Sequence, residues 1–267
     1  MFNADGYLAH IGWSGPLATT LDTLTRLMRA HMARIPFENL DVLLGRGVRV
    51  DLDSVYAKLV ESRRGGYCFE HSTLFRAALE AAGFRVVSHS ARVILMTPRQ
   101  AAPRTHMFLS VSIDGTTYVL DPGFGGHGPL VPLPLVEHHE VRDGPDVHRL
   151  TRRDGEWLLE AKIGGAMTPL WMSTLEPESP IDFAMGNHFT ATWPDSPFVQ
   201  RLMLRALTPD GRRVSVMNRD VTVARDGVFE KSQLQDRTAL RTLLAEEFGI
   251  DLPEVERLRI PTVPEWD

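Results

Sequence analysis

One cysteine occurs in the 267 residues, Cys68, and its neighbours are those that make a thiol nucleophilic. It stands within Arg63-Arg64-Gly65-Gly66-Tyr67-Cys68-Phe69-Glu70-His71. Leu74, Phe75, Ala78, Leu79 and Ala82 form one helical stripe and Gly83 supplies a left-handed stop, so the spacing predicts a helix beginning at or just after Cys68. A sulfur at a helix N-terminus, with two arginines just upstream, sits in a positive field that favours thiolate over thiol. Gly65 and Gly66 are expected to give a tight turn of positive φ and a close backbone approach. A lone cysteine is commonly an inert core residue. The chemistry therefore depends on whether the rest of the chain brings a base to the sulfur.

A predicted hairpin offers that base. Residues 106–113 alternate apolar and polar, Asp114-Gly115 is a type I′ turn signal, and residues 116–121 return as a second strand. With Asp114 and Gly115 as the loop, Ile113 faces Thr116, and counting away from the turn Phe108 faces Asp121 and His106 faces Gly123. Side chains alternate faces along a strand, so His106 and Asp121 become diagonal neighbours on one face, about 7 Å apart at the backbone. A carboxylate there fixes the imidazole tautomer and stabilises the imidazolium, completing a nucleophile, base and orienter. A slip of one residue would leave two ordinary strand-end polar residues.

The elements that must position these groups follow from periodicity. Leu17, Leu21, Leu24, Met28, Met32 and Ile35 predict a helix over 17–35 that Pro36 ends, and a second helix runs from Ser54 to about Glu61. Between them lies the polar-aromatic loop Pro36-Phe37-Glu38-Asn39-Leu40-Asp41, in which Glu38 is either a surface charge or the partner of an arginine ahead of Cys68. After Gly83 the period changes from 3.6 to 2, predicting a strand within 84–96 and then a proline-bounded loop over 98–103. The glycine-rich run from Pro122 to Gly128 lets backbone N–H groups approach an anion or a flat ligand, though such runs are more often plain turns. Residues 137–160 read as strands with a second hairpin turn at Asp154-Gly155. His138, His139 and His148 lack metal-ligand spacing and read as surface. Ser179-Pro180 opens a helix toward Trp193, strands follow over 198–208, 212–217 and 221–224 with a turn at Pro209-Asp210-Gly211, and a last helix over 237–248 stops at Gly249. Helices, then strands, then a mixture is an α+β arrangement.

Composition narrows the partners. With 43% hydrophobic residues the chain can bury a large core, and a net charge of -5 with no basic run argues against nucleic acid or an anionic membrane. No segment is apolar over a bilayer's thickness and no leader pattern opens the chain; a single cysteine allows no disulfide framework, so a reducing cytoplasm is the expected compartment.

Together, Arg64-Gly65-Gly66-Tyr67-Cys68-Phe69-Glu70, Pro36-Phe37-Glu38-Asn39-Leu40, Thr105-His106 and Asp121-Pro122-Gly123-Phe124-Gly125 resemble the motifs of the arylamine N-acetyltransferases, in order and in spacing. The resemblance implies a helical bundle over 1–83, a β-barrel over 84–192 and an α/β lid over 193–267, with a cysteine-protease-like triad of Cys68, His106 and Asp121. It implies acetyl-CoA as cosubstrate, no metal, and ping-pong transfer through an acetyl-cysteine to the nitrogen of an arylamine, arylhydrazine or arylhydroxylamine. It also implies that Phe37, Val93, Phe124 and Phe198 line the acceptor pocket, and that Thr105 and Gly126 lie near the CoA arm. The residues by themselves leave open a thiol hydrolase (amidase or peptidase), an amide synthase of a polyketide pathway using the same triad, and a ligand-binding protein with an incidental cysteine.

Overall fold

The computed structural model describes residues 2–208, 210–225 and 227–266. Helix α1 (Ala4–His10) is capped by the Asn3 side chain, and α2 (Leu21–Arg34) by that of Thr20. The predicted start at Leu17 is too early. Leu17 and Leu21 are 37% and 39% exposed, so the inward stripe begins only at Leu24, and Thr20 fixes the boundary by accepting from the Thr23 N–H. Strand β1 (Phe37–Glu38) and α3 (Leu40–Leu43) come next, followed by α4 (Leu52–Tyr56), which widens into a π-helical turn over Ala57–Glu61. Helix α5 (Cys68–Ala81) begins at the cysteine, as the spacing predicts. Leu24, Leu27, Met28, Leu59, Phe69 and Phe75 form the core beneath these helices.

The glycines before Cys68 act through contact. Neither has positive φ; Arg63, at φ 52, makes that part of the turn. A Cβ on Gly65 would stand 2.2 Å from the Pro36 carbonyl oxygen, and one on Gly66 2.6 Å from Oε2 of Glu70. The expectation of a positive-φ glycine turn is thus corrected: the glycines are there because neighbouring atoms occupy the space of a side chain.

The central sheet comprises β2 (Val86–Val93), β3 (Arg104–Ile113), β4 (Thr116–Leu120), β5 (Leu133–Pro134), β6 (Val141–Asp143), β7 (Asp146–Arg153), β8 (Glu156–Ile163) and β9 (Ala166–Ser173). Its antiparallel order β5-β4-β3-β2-β9-β8-β7-β6 curls into a nearly closed barrel. The β3–β4 ladder has the predicted register, from Ile113 opposite Thr116 to Leu109 opposite Leu120. Asp114 and Gly115 both adopt positive φ, 49° and 80°, as a type I′ turn requires, and Asp154 and Gly155 do the same between β7 and β8. His148 contradicts its surface reading. It is buried, and its Nε2 donates to the His127 carbonyl at 2.8 Å because the loop after β4 folds back over β7.

Helix α6 (Pro180–Thr192) lies against α5 and β3: a Cβ on Gly186 would stand 3.0 Å from the Phe69 ring and 3.2 Å from the Arg104 carbonyl oxygen. After it come α7 (Pro197–Gln200), β10 (Met203–Leu207), β11 (Arg213–Met217), β12 (Asp220–Arg225), β13 (Val228–Gln233) and α8 (Arg237–Phe248). Phe198 is therefore helical, not the start of a strand, because Pro197 takes the first helical position and the Ser196 hydroxyl accepts the Phe198 N–H. Strand β13 shows no burial alternation along its length, which is why periodicity missed it. Of the predicted turn Pro209-Asp210-Gly211, Pro209 lies outside the described residues. The second sheet runs β1-β10-β11-β12-β13, with Phe37 opposite Arg205 and Glu38 opposite Leu204, so an N-terminal segment forms one edge of a C-terminal sheet. We propose the division into units 1–83, 84–192 and 193–267, with β1 donated across it. Among the described residues no helix is long and apolar enough to cross a membrane.

A buried ionic cluster sits under the Cys68 turn. Arg64 donates to Glu38 Oε1 from Nε at 3.0 Å and from Nη2 at 2.6 Å, and Nη2 also reaches Asp41 at 3.2 Å. Lys58, carried on the π-helical turn, lies 2.8 Å from both Asp41 and Glu70. The other Glu38 oxygen accepts the Leu40 N–H at 2.7 Å, and the other Glu70 oxygen accepts the Tyr67 N–H at 3.1 Å. Glu38 is thus a paired, buried carboxylate. Arg46 reaches Asp41 at 3.5 Å from the solvent side, so three cations face three carboxylates, and burial pushes the Glu70 carboxyl up to about 7 against the pull of Lys58. Arg64→Ala would leave Glu38 buried without the guanidinium that donates twice to its Oε1, and should cost on the order of 3 kcal/mol in a urea titration. An unchanged unfolding midpoint would refute this role for Arg64.

Candidate active site

Cys68 occupies the first position of α5 and is 3% exposed. Tyr67 holds the extended conformation before it, its hydroxyl donating to Asn187 of α6. Among the described residues no acceptor takes the N–H of Cys68 or Phe69, so two donors of the helix start stay available beside the sulfur. The loop after β4 lies directly on this helix end: a Cβ on Gly123 would stand 2.6 Å from Cys68 Cα, which only glycine permits. One turn along α5, the Ser72 hydroxyl donates to the Met107 carbonyl at 2.9 Å and fixes the helix against β3.

His106 and Asp121 come together as the register predicts. Asp121 follows directly on the last paired residue of β4, and His106 Nε2 lies 3.0 Å and 2.9 Å from its two carboxylate oxygens. Nε2 is thereby committed to the carboxylate, which leaves Nδ1 without a partner among the described residues, and Cys68 is among the neighbours that favour the charged imidazole. A bulge in β3 assists. Ala91 of β2 pairs with His106 while Arg92 pairs with Arg104, so Thr105 is the extra residue, and its carbonyl oxygen lies 3.7 Å from Cys68 Sγ. Burial alone disfavours the imidazolium, but the Asp121 charge and hydrogen bond, and then Cys68, outweigh it and push the His106 pKa up to about 10.

Trp171 of β9 completes the support by donating its indole N–H to Asp121 at 2.8 Å. Phe108 stacks on Trp171 at 4.4 Å and is nearly parallel to the His106 ring at 6.5 Å, so an aromatic layer keeps water from the His106–Asp121 pair. The sequence reading missed Trp171. Fifty positions separate it from Asp121, and the only local hint is that a buried indole needs an acceptor. Lys58, Asp41 and Glu70 were missed for a similar reason, their roles depending on contacts between elements.

The residues implied to line a pocket are distributed around this centre. The Phe124 ring meets His106 edge to face at 5.4 Å. Phe37 and Phe198 are 6.2 Å apart, and Phe198 lies 5.1 Å from the Tyr67 ring. Phe37 also backs the glycine loop, its ring 3.4 Å from where a Gly125 Cβ would be. Val93 is half-buried at the end of β2 and meets the site through its strand partner, Trp171. Thr105 is half-buried at the bulge, and Gly126 is exposed above the Arg205 side chain. The arrangement gives an activatable sulfur, a held imidazolium, free N–H donors and aromatic walls, the set required for acyl transfer through a thioester.

A family model described as N-acetyltransferase matches residues 20–257. The arylamine N-acetyltransferase of Escherichia coli (strain K12) is 35% identical across 94% of this chain and 89% of its own length. That of Mycolicibacterium smegmatis is 36% identical across 94% and 92%. The structure of Mycobacterium marinum arylamine N-acetyltransferase in complex with CoA matches with a TM-score of 0.89 at 34% identity, covering 95% of this chain and 94% of that one. With the family model matched over most of the chain and these relatives matched over nearly the full length of both chains, this chain belongs to the arylamine N-acetyltransferase family.

Proposed function

We propose that the protein transfers acetyl groups from acetyl-CoA to the nitrogen of arylamines, arylhydrazines or arylhydroxylamines, with Cys68 as nucleophile, His106 as acid and base, and Asp121 as orienter. The observation that carries this reading is the imidazole of His106, held on Nε2 by a buried carboxylate, one residue along β3 from the Thr105 carbonyl that lies 3.7 Å from the helix-start sulfur of Cys68. Cys68 thiolate attacks the thioester carbonyl, forming the S–C bond, and the tetrahedral oxyanion is met by the N–H groups at the start of α5. As the C–S bond to CoA breaks, the His106 imidazolium gives its proton to the departing thiolate. The amine then attacks the acetyl-cysteine. His106 takes the proton of the attacking nitrogen, and Cys68 leaves as thiolate, ready for another turnover. An arylamine is uncharged at neutral pH and needs no prior deprotonation. Phe37, Val93, Phe124 and Phe198 supply an apolar surface for its ring and limit hydrolysis of the acyl-enzyme, which favours transferase over hydrolase. Thr105 and Gly126 border the CoA arm. We place the reaction in the cytoplasm, where a lone functional thiol stays reduced.

Intact-protein mass spectrometry after mixing with acetyl-CoA should show one added acetyl, lost in Cys68→Ala and mapped to Cys68. Protein that stays unmodified while CoA is not released would refute the reading. Asp121→Asn keeps the shape of the side chain yet favours the wrong tautomer and removes the countercharge, so acetylation should fall on the order of a thousandfold. A loss of less than about tenfold would show that His106 does not depend on the carboxylate.

The folded-state pKa of His106, about 10, lies above its ordinary 6.5, so its protonation stabilises the fold fully below about 6.5 and that contribution is lost as pH rises through about 10. Unfolding free energies of wild type and His106→Gln, measured across this interval, should converge as pH increases. A difference independent of pH would mean that the folded imidazole is neutral throughout.

A further inference from the structure

Arg205 lies in β10 directly opposite Phe37, on the face of the lid sheet away from the core formed by Leu204, Val216 and α8. The side chain is half-buried, and Nη1 donates to the carbonyls of Leu204 at 2.6 Å and Val216 at 2.8 Å. Among the described residues no carboxylate pairs with it, whereas Arg213 nearby is neutralised by Asp146. Burial alone pulls its pKa down to about 10. A half-buried cation held only by carbonyl dipoles lacks the counter-charge that such groups ordinarily have. Nε and Nη2 have no acceptor among the described residues.

The glycine loop lies on the open side of this group. Gly126 is exposed and its φ is not positive, so backbone conformation does not explain a glycine there. A Cβ at Gly126 would stand 3.4 Å from Arg205 Nε, and one at Gly125 would stand 3.4 Å from both Arg205 Cγ and the Phe37 ring. The bare loop leaves the guanidinium uncovered next to an aromatic ring of the cleft.

We propose that Arg205 recognises an anionic oxygen group of a substrate, a carboxylate or a phosphate, lying over Gly125 and Gly126 beside Phe37. The proposal rests on the acetyl-transfer reading and adds a charge preference to it. The planar fork of a guanidinium matches either group. The anion can come from the phosphates of the acetyl donor or from a carboxylate on the acceptor ring, and ping-pong kinetics separate the two because kcat/KM for donor and acceptor are measured independently.

The test compares wild type with Arg205→Gln on two pairs: 4-aminobenzoate against 4-methoxyaniline as acceptors, and acetyl-CoA against S-acetyl-N-acetylcysteamine as donors. The kcat/KM preference for the charged member of at least one pair should fall about tenfold, with Arg205→Lys retaining part of it. A fall in the acceptor pair identifies the anion as a ring carboxylate, and a fall in the donor pair identifies it as a phosphate. If both preferences stay within about twofold, or all four substrates slow alike, Arg205 is a lid clamp and the proposal is overturned. Should Arg205→Gln fail to fold, Gly126→Ala sets a methyl over the guanidinium and must produce the same selective loss; unchanged preferences in that variant overturn the proposal equally. Wild-type protein that acetylates neither amine would instead refute the acetyl-transfer reading.

Discussion

A cysteine on a helix and a histidine on a strand exchange a proton only if the two elements lie flush, and here that closeness depends on the absence of a side chain at Gly123. With Cys68 Cα 2.6 Å from the position of a Gly123 Cβ, any larger residue would wedge the loop after β4 off the end of α5. That loop begins at Asp121, so displacing it would carry the carboxylate and then the imidazole away from the sulfur. The Ser72–Met107 hydrogen bond and the packing of Gly186 on Phe69 and Arg104 hold the same interface from other sides. Such geometry tolerates little error, since a displacement of about 1 Å is enough to disable a pre-organised site.

Beneath the Cys68 turn two unlike polar structures meet. One is the ionic cluster of Glu38, Asp41, Lys58, Arg64 and Glu70. The other is a fully buried chain in which Tyr7 O lies 2.9 Å from His31 Nδ1, His31 Nε2 lies 2.9 Å from His71 Nδ1, and His71 Nε2 lies 3.2 Å from the Pro36 carbonyl oxygen. A carbonyl only accepts, so His71 carries its proton on Nε2. Its Nδ1 must then accept from His31 Nε2–H, and His31 Nδ1 from the Tyr7 hydroxyl. Burial keeps every member uncharged: it raises the tyrosine and lowers both histidines, His71 to about 4. The chain thus binds α1, α2 and α5 with one fixed polarity and no net charge, whereas the ionic cluster concentrates charge next to the nucleophile's turn.

What the sequence made legible was local. The hairpin register needed only alternation and a type I′ turn, and it placed His106 beside Asp121 correctly. The α5 start needed only an apolar stripe and a stop. The Glu38–Arg64 pair could be named, as one of two alternatives, because both residues flank recognisable loops. Residues whose role depends on packing between units left no such trace: Trp171 reaches Asp121 across the barrel, Lys58 reaches three carboxylates from a π-helical turn, and Arg205 faces a loop about eighty residues earlier in the chain. His148 looked superficial because a neighbouring loop, not its own strand pattern, covers it.

The segment from Pro36 to Asn39 shows why a short loop motif can be as informative as the Cys68, His106 and Asp121 positions themselves. The Pro36 carbonyl accepts both Gly66 N–H and His71 Nε2–H at 3.2 Å, and Glu38 N–H donates to the Gly66 carbonyl at 2.9 Å, so this loop fixes the backbone just ahead of Cys68. The same four residues hold the C-terminal unit. Phe37 and Glu38 pair with β10, while Asn39 donates to the carbonyls of Phe198 at 2.8 Å and Arg201 at 2.7 Å and accepts the Met203 N–H at 2.9 Å. One stretch thus sets both the turn before Cys68 and the position of Phe198 and Arg205. Because it uses backbone pairing on one side and a buried amide on the other, neither contact can shift without breaking hydrogen bonds that have no water to replace them. The distance between the Cys68 turn and strand β10 is consequently determined within four residues, although that strand is more than a hundred residues away in sequence.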